Sequence, residues 1–168
     1  MRAKLRRAED VLARAEGAAL VLCLGVMVTL AFAQVVLRRF GDGLLWADTL
    51  LKQLVMWTGF LGAALAAAAE KHFAWEASNM GAPERLKPWL KLAASLAGAA
   101  VCALLLQAAW RYAADDRAAG DVLMTVGSVS VPAWIAAAGI PGGFLLVGLH
   151  MLFKSADAAL ETLEAVER

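Results

Sequence analysis

The 168-residue sequence is poor in the residue types that soluble chemistry usually needs. Its two cysteines, Cys23 and Cys102, both lie inside apolar runs, and neither belongs to a CxxC or metal-ligand spacing. A disulfide scaffold, a thiol redox motif and a zinc site are thereby excluded. Charge is also scarce, at 18% of residues against about 25% in an ordinary soluble domain. The net charge is only +1, so there is no basic excess of the kind that binds nucleic acid. No catalytic constellation, nucleotide-binding loop or metal cluster can be read, so no cofactor is expected and the chain is not read as an enzyme.

Apolar residues are abundant instead. They make up 61% of the chain, and the mean hydropathy is +0.64. A soluble domain is about 45–50% apolar, and one of this size cannot hide such an excess from water. Lipid is the environment that takes it. Gly17 to Leu37 is a charge-free run of 21 residues. At 1.5 Å per residue it covers about 31 Å, against a hydrocarbon core of about 30 Å. Gln53–Ala69 is a second run, extended by Thr49, Leu50 and Leu51 across Lys52, and Leu92–Trp110 is a third. Val122–Phe153 is 32 residues long, too long for one ordinary span. Pro132 marks a start within it, since proline is tolerated in a first helical turn.

These runs predict an all-α integral membrane protein with four transmembrane helices, at about 17–38, 47–69, 89–110 and 132–153, in a single domain covering 1–168. Helices are the expected spanning form because backbone groups in lipid must be satisfied internally. Ala31-Phe32-Ala33 resembles a signal-peptide cleavage site. The apolar run continues to Leu37, however, and the segment reads as an uncleaved anchor. Residues 1–16 space Leu5, Ala8, Leu12 and Ala15 at helical intervals, with basic residues on the other faces. That pattern fits an amphipathic interfacial helix on anionic lipid, or simply a solvated start to the first span. A surface helix is expected at 73–80. Leu123–Val131 is apolar but carries Thr125, Gly127, Ser128 and Ser130, and it reads as a re-entrant or interfacial stretch or a protein contact.

Lysine and arginine set the orientation. Eleven basic residues fall in the N-terminal tail, the second loop and the C-terminal tail, and four (Arg38, Arg39, Arg111 and Arg117) fall on the other side. Both termini are therefore expected in the cytoplasm, with 154–168 as a cytoplasmic tail.

Individual polar residues are few. Asp48 and Lys52 sit at i, i+4 near the outer end of the second helix, where they can pair. His72 and His150 fall near the cytoplasmic ends of the second and fourth helices. They read as interfacial histidines, with haem ligation between helices as the sharper alternative. Gln34 and Gln107 are suited to interhelical hydrogen bonds. Small residues recur at intervals of four around Gly59, Gly98, and Gly139 with Gly143, which lets helix backbones approach. Pro141, between the last two, removes a backbone donor and should bend its helix.

The order of motifs carries a resemblance. Gln34-Val35-Val36-Leu37-Arg38-Arg39-Phe40 closes the first span, and Trp46-Ala47-Asp48-Thr49-Leu50 opens the second. Phe60-Leu61-Gly62-Ala63-Ala64 precedes Glu70-Lys71-His72, and Pro132-Ala133-Trp134 precedes Ile140-Pro141-Gly142-Gly143-Phe144. From about residue 17 to 153 the series resembles the small membrane subunit, or Q component, of tripartite ATP-independent periplasmic (TRAP) transporters. The family often has two adjacent acids after the tryptophan, whereas here Thr49 follows Asp48. Phe73-Ala74-Trp75-Glu76 likewise departs from the family pattern after the histidine.

The resemblance implies a secondary transporter in the bacterial inner membrane. A periplasmic substrate-binding protein would capture an organic acid. A large membrane subunit, a separate chain, would carry the substrate and sodium sites. The present chain would brace the large subunit and help present a docking surface. Arg38, Arg39, Trp46, Asp48 and Lys52 are the partner-interface candidates, and Glu70 and His72 are candidates on the cytoplasmic side. Two other classes compete with this reading: a haem- or quinone-binding anchor of a respiratory enzyme, and a small oligomeric carrier.

Overall fold

The computed structural model describes residues 2–41, 43–69 and 87–166. Four of its helices are long and apolar enough to cross a membrane. Helix α1 runs Arg2–Arg39, α2 Ala47–Ala69 and α3 Lys87–Ala119. A hairpin follows, with strand β1 at Val122–Val126 and β2 at Val129–Pro132. A short helix α4, Ala133–Ala137, leads into α5, Gly139–Val166. Glu70, His72 and the surface helix expected at 73–80 lie outside the described residues.

Helix α1 is continuous through residues 2–39, so the N-terminal basic segment is the first turns of the first spanning helix and not a separate element. No proline interrupts it, and the segment is anchored to the bundle because Glu9 and Glu16 are buried. The helix ends where Gly41 takes a positive φ of 95°, a conformation glycine adopts without Cβ strain. Pro88 sits in the first turn of α3, where its missing N–H costs nothing.

Helix α5 is central. It packs along α3, more briefly on α2, and lightly on α1, which itself packs on α2. Contact pairs give the directions. A Cβ on Gly139 would lie 2.9 Å from Trp57, and one on Gly143 would collide with the Phe60 ring. These pairs step the same way along both chains, so α2 and α5 run parallel. Gly98 faces Met151 while Gly148 faces Cys102, so α3 runs antiparallel to α5. The Phe60 and Phe144 rings add an edge-to-face contact at 5.3 Å, a favoured aromatic geometry.

The interior is built from small and polar residues. Ala47, Ala64, Ala67 and Ala158 are buried together with Gln34, Ser95, Ser155 and Thr162, whereas Val21, Phe32, Leu104 and Trp110 face outward. This is the pattern of helices that associate in lipid through close backbone approach and polar contacts. Gly59 differs from the other stripe glycines, because a Cβ there would meet nothing within 4 Å. Gly59 itself therefore packs on nothing within the described residues, although Ala67, two steps along its stripe, is buried.

The hairpin is the element that differs most from the sequence reading. Residues 122–132 form paired strands, a conformation that the reading of 123–131 as a re-entrant or interfacial stretch or a protein contact did not include. The alternation Val126-Gly-Ser-Val129-Ser-Val131 around a two-residue loop is a hairpin signal. Gly127 takes φ +61° at the first loop position, as a type II′ turn requires. Ala133 N–H donates to the Asp121 carbonyl at 2.8 Å and closes the base. Pro132 caps α4. The fourth span is irregular at Ala138, three residues before Pro141, where the helix lacks one backbone donor.

Candidate functional site

Four of the five interface candidates gather around the α1–α2 connection, and Lys52 follows one turn into α2. The connection is tied down from beneath. Gln34 Nε2 donates to the Leu44 carbonyl at 2.9 Å, and Leu44 N–H donates to Gln34 Oε1 at 3.1 Å. One buried amide thus satisfies both backbone groups of a loop residue, where the sequence suggested a bond between helices. Above it, Arg38 Nη2 donates to Asp48 Oδ2 at 2.7 Å.

That bond corrects the expected Asp48–Lys52 pair. The Arg38 side chain crosses over Gly43, whose absent side chain leaves it room, since a Cβ there would stand 3.3 Å from Arg38 Cγ. Arg38 closes the C-terminus of α1 and Asp48 opens α2, so each charge also faces a favourable helix end. The two side chains are 59% and 54% exposed, and such a pair is worth about 0.2–1 kcal/mol. Arg39 and Lys52 are exposed, and Trp46 is half-buried. Phe40 and Leu45 project from the same connection, at 81% and 94% exposure. The rim is therefore a braced loop presenting two apolar tips between charges.

Toward the other end of the bundle lies a pair that sequence reasoning missed. His150 is 0% exposed, and its Nε2 stands 2.9 Å from Glu16 Oε2. The bond joins α5 to α1 across 134 residues. His150 is therefore buried between the helices, with its Nε2 engaged by Glu16. His150 Nδ1 and Glu16 Oε1 are buried with no hydrogen-bond partner. Glu16 directly precedes the first charge-free run, which was the available signal. Nothing in the sequence pairs it with residue 150. Among the described residues no group of His, Cys, Asp and Glu is placed to hold a metal ion.

A family model for the DctQ component of tripartite ATP-independent periplasmic transporters matches residues 27–160. The chain belongs to that family. No curated protein and no solved structure matches it. The match takes in the second half of the first span, the other three spans, the rim and the hairpin. This DctQ chain is accordingly a multi-pass membrane component of a transport system and not an enzyme.

Proposed function

We propose that this DctQ chain is the small permease subunit that scaffolds a separate large transport subunit and helps dock a periplasmic substrate-binding protein. The system would take up an organic acid by ion-coupled transport across the bacterial inner membrane. Both termini would be cytoplasmic, as the lysine and arginine bias favours, and the Arg38 rim would face the periplasm.

The braced rim is the observation that carries this reading. Gln34 and Arg38 together hold the α1–α2 connection so that Phe40 and Leu45 stand out from it. Exposed apolar residues rimmed by charge are what a protein contact uses. The scaffolding role draws support from α1 and α3, whose apolar faces are mostly unburied within the chain.

The test is substrate uptake in cells carrying the three components, with Arg38→Glu/Arg39→Glu in this chain. Uptake should fall at least tenfold while the variant still inserts and co-purifies with the membrane fraction. Uptake at the wild-type rate would reject the rim as a docking element.

A further inference from the structure

Helices α3 and α5 do not close on each other at the hairpin end. Between them lies an open groove of about 970 Å³, at the upper end of the roughly 300–1,000 Å³ typical of small-molecule sites. Its wall on α3 extends from Ala103 to Arg117, and its other wall includes Pro141 and Leu145 of α5. The rise from Ala103 to Arg117 is about 21 Å, roughly the depth of one bilayer leaflet with its headgroups.

Polarity changes along that length. The deep end is mainly apolar, lined by Ala103, Leu106 and Leu145, with Gln107 as an uncharged polar side chain among them. The shallow end carries Arg111 and Arg117, the only charged residues in the lining among the described residues, flanked by Trp110 and Trp134. The Arg117 guanidinium lies 5.3 Å from the centre of the Trp134 ring, a cation–π contact that fixes it at the mouth. The acids of this end, Asp115, Asp116 and Asp121, do not line the groove. Tryptophan and arginine at this level sit where headgroups begin.

We propose that this groove binds one anionic phospholipid. The acyl chain lies along Leu106, Pro141 and Leu145, and the headgroup phosphate lies between Arg111 and Arg117. The observations favour lipid over a partner helix on charge. A spanning helix would be apolar at this depth and would leave both guanidinium groups unmatched. A phosphate satisfies them, and arginine recognises phosphate through paired N–H donors. Small side chains at Ala138 and Gly142 keep the groove open. The lipid would form part of the surface that the chain presents to its surroundings.

Native mass spectrometry of the full chain, purified in mild detergent, tests the site. The probes are phosphatidylglycerol and phosphatidylcholine with identical acyl chains. One phosphatidylglycerol per chain should survive activation that strips phosphatidylcholine. Arg111→Gln/Arg117→Gln should weaken phosphatidylglycerol binding roughly thirtyfold, and Arg111→Lys/Arg117→Lys should recover most of it. Ala103→Trp plugs the apolar end with both arginines intact and should weaken binding at least tenfold. Circular dichroism checks that each variant keeps its helix content. Equal retention of the two lipids would overturn the proposal, as would wild-type binding in the glutamine variant. A photo-crosslinker at position 103 that joins the chain to another protein in native membranes would also overturn it.

Discussion

The amide of Gln34 grips the backbone of Leu44 with two hydrogen bonds, so a residue inside the first membrane helix sets the path of the loop above it. Replacing Gln34 with leucine removes both partners of Leu44 at once. The expected cost is about 1–3 kcal/mol, the penalty for leaving part-buried backbone groups unsatisfied. Thermal unfolding in detergent should show a lower midpoint. Limited proteolysis should cut near residue 44 in the variant before the wild type.

The Glu16–His150 pair should behave as a unit. Replacing His150 with leucine strands a carboxyl group in the interior, at a cost of about 3 kcal/mol. Glu16→Leu strands the imidazole in the same way. The double variant leaves no polar atom behind and should lose less than the sum of the two single losses. A double-mutant cycle in denaturant titrations measures this, and strictly additive losses would show that the two side chains do not interact.

Glycines in the two stripes should respond in opposite ways. Gly143→Ala drives a methyl into the Phe60 ring and should cost about 1–3 kcal/mol, as overpacking does. Phe60→Ala in the same chain should recover part of that loss. Gly59→Ala meets open space and should leave stability unchanged or raise it by up to about 1 kcal/mol through helix propensity. Unfolding midpoints of the three variants decide the matter.

At the rim, Asp48→Ala should cost less than about 1 kcal/mol, because the pair it breaks is half exposed. Its effect should overlap with that of Arg38→Ala and add fully to that of Lys52→Ala. Overlap with Lys52 instead would mean that the carboxylate pairs along its own helix.

The spans were legible because lipid imposes a simple rule, that a run of some twenty apolar residues must be helical. Gly17–Leu37 follows it without ambiguity. The sequence marked Gly139 and Gly143 as sites of close approach, since small residues at intervals of four let helices meet, but it did not name α2 as the helix that meets them. The Glu16–His150 bond was not, because a contact between residues 134 apart depends on how three helices dock. The Asp48 partner was misjudged for a local reason. Helical spacing favours Lys52, but the turn at Gly41 and the bare backbone of Gly43 bring Arg38 closer. The hairpin was hidden by its composition, since Val122–Val131 is as apolar as a span while alternating like a strand.

Helix α3 gives the hairpin a height. Its 33 residues extend about 50 Å, against a hydrocarbon core of about 30 Å. The nine residues that follow Trp110, Arg111 to Ala119, therefore form a stalk about 14 Å tall, with the strands at its top. Each 3 Å of added bilayer thickness would submerge about two residues of that stalk. The clearance of the hairpin above the lipid is thus a property of the membrane as much as of the chain.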